Sequence, residues 1–143
     1  VDVPEVGPDF HARLLVVDAD DGSGCELALA LEAAGFETTI VRTADAALTS
    51  LREHPFDVAL IDLMLPTMNG LELCRAARQL QPLLRVVLTC AYHLSERQLR
   101  RSACGASAFV PKPYDARDVA AFLRAKLAEP RSWPPSAPRP DEP

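Results

Sequence analysis

The chain has no apolar run long enough to span a bilayer, which excludes a transmembrane helix. Residues Val1 to His11 lack the basic-then-apolar pattern of a secretory signal. None of the four cysteines (Cys25, Cys74, Cys90, Cys104) belongs to a Cys-x-x-Cys pair. Neither a disulfide framework nor a zinc site is therefore expected, and a reduced, cytoplasmic setting fits best. The three histidines (His11, His54, His93) are scattered, with no partner at metal-ligand spacing, and read as surface residues. Basic residues do not exceed acidic ones. The net charge of −5 argues against a nucleic-acid-binding surface.

What is present is the composition of an ordinary globular protein, 48% hydrophobic and 24% charged. Its 143 residues fit one domain with one substantial core. Residues 1–11 read as a loose leader, with Pro4, Gly7 and Pro8. Residues 12–128 read as the domain. Residues 129–143 form a tail in which six of fifteen residues are proline, a composition that cannot build a core and suits an extended linker. Trp133 lies in this tail.

Four short apolar runs each end in a reactive residue. Leu14-Leu15-Val16-Val17 ends at Asp18, and Val58-Ala59-Leu60-Ile61 at Asp62. Val86-Val87-Leu88 ends at Thr89, and Ala108-Phe109-Val110 runs through Pro111 to Lys112. Such runs, set between helical patterns, read as buried parallel strands. Thr38-Thr39-Ile40-Val41 is a fifth, β-branched strand. Helical stripes fill the intervals. Leu27, Ala30, Leu31 and Ala34 precede Gly35, which suits a C-terminal cap. Ala47, Leu48 and Leu51 follow Thr43, a candidate N-cap, and Pro55 stops that helix. Leu73, Cys74 and Ala77 mark the inner face of the helix after the Met64–Gly70 loop. Ser95-Glu96-Arg97-Gln98 has the capping-box pattern of a further helix, closed by Gly105. Asp115 caps a last helix with Val119, Phe122, Leu123 and Leu127 on one stripe.

This is β-α five times over: a doubly wound parallel α/β sheet with right-handed crossovers and helices on both faces. Parallel strands deliver their C-terminal ends to one edge, where open α/β sheets bind ligands. Two carboxylates, a hydroxyl and an ammonium are thus expected to meet there. A strand-end carboxylate such as Asp62 can attack phosphorus and form an acyl phosphate, provided the phosphoryl oxygens are neutralised. A divalent metal on carboxylates, a lysine and small donors are the groups for that task. The extra Pro111 suits an edge strand.

Over about residues 12–128 the chain resembles the receiver domain of bacterial two-component response regulators. The resemblance rests on Val16-Val17-Asp18, Ile61-Asp62-Leu63-Met64-Leu65-Pro66 with Asn69-Gly70, Leu88-Thr89 and Lys112-Pro113, in matching order and spacing. It implies a five-stranded, flavodoxin-like sheet of strand order 2-1-3-4-5. It also implies roles. Asp62 corresponds to the phosphoacceptor, charged by a histidine kinase, a phosphotransfer protein or a small phosphodonor. Asp18, Asp62 and the Met64 backbone carbonyl correspond to ligands of Mg²⁺. Thr89 corresponds to the switch hydroxyl and Lys112 to the phosphoryl counter-ion. Phe109, with Cys90 and Pro113, belongs to the switching and output region, and the Lys112–Pro113 bond is cis in the family. The resemblance implies a signalling domain rather than an enzyme. Its output is a domain beyond the tail or a separate protein target.

The sequence departs from the family at the acidic pair, where Ala19 replaces the second acid. Mg²⁺ affinity is expected to fall by about 1–2 kcal/mol for the lost charged ligand. Asp20 and Asp21 follow directly and read as caps of the first helix, with a substitute metal ligand as the other reading. Cys90 stands where a smaller residue is usual, as a buried thiol. Met64 and Ala91 carry no polar group to orient a hydrolytic water, which implies slow loss of any phosphoryl group. Two other functions match parts of the sequence. A pseudo-receiver would keep the fold and bind a partner without phosphorylation, as Ala19 favours. A haloacid-dehalogenase-like phosphatase would use Asp18 and Asp20, but it lacks an acidic pair after Lys112 and leaves Asp62 unexplained.

Overall fold

The computed structural model describes residues 12–19, 24–91 and 105–128, with residues 24 and 25 described by their backbone alone. The leader, Asp20, Asp21, His11, His93, Cys104, the helix expected after Ser95 and the tail with Trp133 lie outside the described residues, as does the Cys25 side chain.

Five strands form one sheet: β1 (Ala12–Val17), β2 (Phe36–Val41), β3 (Val58–Asp62), β4 (Arg85–Cys90) and β5 (Ala108–Pro111). Their order is β2-β1-β3-β4-β5, and every pairing is parallel. Four helices are described: α1 (Gly24–Ala33), α2 (Ala44–Glu53), α3 (Gly70–Leu80) and α4 (Ala116–Ala128).

Alternation along the strands splits the core between the two faces of the sheet. Leu15 and Val17 of β1, with Ala59 and Ile61 of β3, pack against Ala47 and Leu51 of α2 and Leu73, Cys74 and Ala77 of α3. Leu14 and Val16, with Val58 and Leu60, pack against Leu27 and Leu31 of α1 and Val119, Ala120 and Leu123 of α4. The central strands read as continuous apolar runs because both faces are covered. β2 begins two residues earlier than its β-branched stretch suggests. Phe36 is buried and pairs with Ala12, so packing extends the strand beyond what propensity marks.

Local signals act where expected. The Thr43 hydroxyl accepts the Ala46 amide at 3.1 Å and caps α2. Asn69, which reads in the sequence as a loop residue, also caps: its Oδ1 accepts the Leu71 amide at 2.7 Å at the start of α3. Asp115 Oδ1 accepts the Arg117 amide at 2.9 Å at the start of α4. Gly35 ends α1 with φ of 102°, a left-handed conformation that favours glycine. β5, which carries Pro111, is an edge strand. Among the described residues, no helix is long and apolar enough to cross a membrane.

Candidate functional site

Register brings the strand ends together. Asp62, the last residue of β3, lies opposite Thr89 of β4, and Thr89 opposite Val110 of β5. The Leu63 amide donates to the Thr89 carbonyl at 2.9 Å, so the ladder continues past Asp62. On the other side of β3, the Asp18 amide donates to the Val41 carbonyl of β2 at 3.1 Å. The Lys112 amide donates to the Cys90 carbonyl at 2.9 Å, which holds its backbone against the end of β4. The Lys112–Pro113 peptide bond is cis.

The side chains converge. Lys112 Nζ lies 2.9 Å from Asp62 Oδ2 and 3.1 Å from Asp18 Oδ2. Both acids are buried, with Asp62 at 6% and Asp18 at 7% relative exposure. Buried carboxylates persist only when paired and hydrogen-bonded. Here one ammonium serves both, and Asp62 Oδ1 also accepts the Met64 amide at 2.9 Å. Burial disfavours the charge on Lys112. The hydrogen bonds to Asp62 and Asp18, together with their negative charges, outweigh it and hold the ammonium above the usual lysine range.

Thr89 Oγ1 is buried with no hydrogen-bond partner in the structure. An unpaired buried hydroxyl costs stability, so it is a common mark of a functional position. Met64 stands beside the site with 58% exposure, and Ala91 is also exposed. Cys90 and Cys74 are buried thiols outside any disulfide. Phe109 is partly buried against the core beneath α2 and α3, and its β4 neighbour is Leu88.

The loop that carries Met64 is set by Gly70. The Gly70 amide donates to the Leu63 carbonyl at 3.0 Å. A Cβ at Gly70 would meet the Asp62 carbonyl oxygen and Leu63 Cα, each at 2.6 Å. No side chain fits there without moving backbone next to Asp62.

The structure thus brings Asp18, Asp62, Thr89 and Lys112 to one edge, as the topology argument predicts. Two features went unread in the sequence. Lys112 pairs with Asp18 as well as Asp62, a link signalled only by the charge count at the strand ends. Gly70 reads there as a loop opener, whereas its role is close approach to the Asp62 backbone.

Hard oxygen donors of this kind suit Mg²⁺. That a cation, the Lys112 ammonium, already bridges the two carboxylates shows that the pair accepts positive charge. Ala19 adds no ligand. Among the described residues, no group of three or more His, Cys, Asp or Glu side chains is placed to hold a metal.

An open parallel sheet of order 2-1-3-4-5 defines the flavodoxin-like class of doubly wound α/β folds. The model of the response regulator receiver domain matches residues 14–124, and the chain belongs to that family. It is 36% identical over 118 residues to the DNA-binding response regulator MtrA of Mycolicibacterium smegmatis, covering 82% of this chain and 51% of MtrA. The chain therefore spans about half the length of that relative. A CheY-like receiver domain protein from Methanospirillum hungatei superposes with a TM-score of 0.75 at 31% identity, over 82% of this chain and 94% of that one. A Burkholderia pseudomallei response regulator, solved with a phosphorylated aspartic acid, calcium ion and citrate, gives a TM-score of 0.68 at 25% identity, over 82% and 73% of the two chains. The chain is thus a receiver domain of two-component signalling.

Proposed function

We propose that Asp62 is the phosphoacceptor of this receiver domain and that Thr89 and Lys112 stabilise and read the phosphoryl group. One observation carries this reading: a buried strand-end carboxylate paired with Lys112 lies opposite a buried threonine whose hydroxyl has no partner. The phosphorylated aspartic acid of the Burkholderia relative supports it.

In this chemistry an Asp62 carboxylate oxygen attacks the phosphorus of a phosphohistidine or acyl phosphate. A new O–P bond forms, the donor's P–N or P–O bond breaks, and the imidazole or carboxylate leaves. The product carries more negative charge in a half-dry rim. Lys112 supplies a charge-assisted hydrogen bond, and the Met64 amide, already on Asp62 Oδ1, supplies a backbone donor. The Thr89 hydroxyl gives up no existing bond to meet a phosphoryl oxygen, so its new bond is a net gain. Mg²⁺, when bound, neutralises charge on the phosphoryl oxygens. Asp18, Asp62 and the Met64 carbonyl would hold it, with weakened affinity because of Ala19. The phosphodonor is a histidine kinase or phosphotransfer protein. The output lies in a domain beyond the tail or a separate target.

The test is incubation with acetyl phosphate and Mg²⁺, followed by intact-mass measurement. One added phosphoryl group is expected, and none in Asp62→Asn. An unmodified wild-type chain overturns the reading and favours a phosphorylation-independent binding module.

A further inference from the structure

α1 and α4 lie on the same face of the sheet and share a core through Leu27, Leu31, Ala120 and Leu123. Above that core their facing sides carry short side chains, among them Ala30 and Ala33 on α1 and Ala116 and Ala121 on α4. These leave a groove of about 750 Å³ between the two helices, within the size range of ligand clefts. Leu29 on its wall is 69% exposed. Two acids, Glu26 and Asp115, and two arginines, Arg117 and Arg124, balance the charge of the rim, which suits an occupant of low net charge.

The chain itself brings such an occupant to the groove. α1 and α4 each follow a strand of the parallel sheet, so both start at the edge of the strand ends and run back to the opposite edge. Arg124 is the last groove residue on α4, and the helix continues to Ala128, about 6 Å further. Residues 129–143 thus begin just past one end of the groove. Trp133 follows Ala128 by five residues, which span about 15 Å in the extended form that proline favours. That length covers the return to Arg124 with residues to spare for the turn. Pro130, Pro134 and Pro135 flank Trp133, and their fixed φ leaves less freedom to lose on docking.

We propose that the proline-rich tail folds back onto the α1–α4 groove and seats the Trp133 indole among Ala33, Ala34 and Ala121, beside the Arg124 guanidinium. Small side chains give a flat aromatic ring a floor to lie on, and an arginine beside it adds a cation–π contact. The short tether holds Trp133 near the groove at an effective concentration of about millimolar order, so modest contacts suffice. The tail is then a strap that ties the chain following α4 to the face of α1, and not a free linker. This inference rests on the groove and on connectivity, and it is independent of the role of Asp62.

Trp133 is the only tryptophan in the chain, so its fluorescence reports the docking directly. In the full chain its emission should be blue-shifted from that of N-acetyltryptophanamide, and acrylamide should quench it about three-fold less, as expected of a half-buried indole. Ala33→Arg and Ala121→Arg fill the groove from exposed helix positions, and each should return emission and quenching to the free values with the circular dichroism unchanged. Three results overturn the proposal: quenching of the wild type equal to that of the free indole, shielding that survives both groove variants, or shielding lost on dilution, which puts the tail on a second copy. Should the groove variants fail to fold, hydrogen exchange of Trp133→Ser decides. Faster exchange in α1 and α4 is expected, and exchange there equal to wild type overturns the proposal.

Discussion

Gly70, the first residue of α3, touches the backbone of Asp62 so closely that a Cβ would lie 2.6 Å from the Asp62 carbonyl oxygen. The obstacle is backbone, not a side-chain tip that could rotate away. Gly70→Ala gains about 1 kcal/mol of helix propensity. It loses about 1–3 kcal/mol to overpacking, so the overpacking should win. A lower urea midpoint and slower labelling by acetyl phosphate are expected. Unchanged labelling would show that the loop does not position Asp62.

Thr89 gives a prediction of opposite sign. Its hydroxyl is buried without a partner, so Thr89→Val should stabilise the unphosphorylated domain by about 1 kcal/mol. The same change should abolish whatever stability phosphorylation adds to wild type. Thermal melts of both proteins, with and without acetyl phosphate, check the two statements together.

The ion-pair cluster makes stability depend on alkaline pH. Lys112 has its proton affinity raised in the folded state. Its contribution is therefore full below its ordinary value of 10.5 and is lost as pH rises through the higher folded value. Lys112→Met leaves two buried carboxylates without their shared counter-ion. It should cost about 1–3 kcal/mol near neutral pH, less than a fully buried pair because the lysine is part-exposed. The gap between wild type and variant should stay level up to about pH 10 and narrow above it. Denaturant titrations at a series of pH values would show this, and a gap unchanged into strong alkali would contradict it.

At the opposite edge of the sheet, Gln81 joins three segments. Its Oε1 accepts the Phe56 amide at 2.9 Å, and its Nε2 donates to the carbonyls of Leu51 at 2.8 Å and His54 at 2.7 Å. Gln81→Ala leaves these groups to solvent or unpaired, at a cost of about 1–3 kcal/mol. Phosphoryl transfer should be unaffected, because Gln81 lies at the end of α3 remote in sequence from the strand-end acids. Urea unfolding and intact-mass labelling of the same sample test both halves.

Much of the architecture was legible because each signal is local. A strand buried on both faces must be apolar along its length, so β1, β3 and β4 announce themselves. Once they are parallel, topology sends Asp18, Asp62, Thr89 and Lys112 to one edge. Caps such as Thr43 and Asp115 satisfy helix-end amides within three residues, so spacing alone reveals them. Phe36 gives no such signal, because its strand character comes from burial beside β1 and not from its own neighbours in sequence.

The sequence by itself determined the strand and helix pattern, the family, and which reactive side chains share an edge. These follow from periodicity and chain connectivity. Only the tertiary structure decided which charge meets which. Lys112 lies 94 positions from Asp18 and 50 from Asp62, and it pairs with both. It likewise decided that the Thr89 hydroxyl is left unpaired and that Gly70 abuts Asp62. Such pairings depend on the spacing, to within a few tenths of an ångström, of segments far apart in the chain. They are set by how two packed helical layers and the strand register close on one another, and no local pattern encodes that.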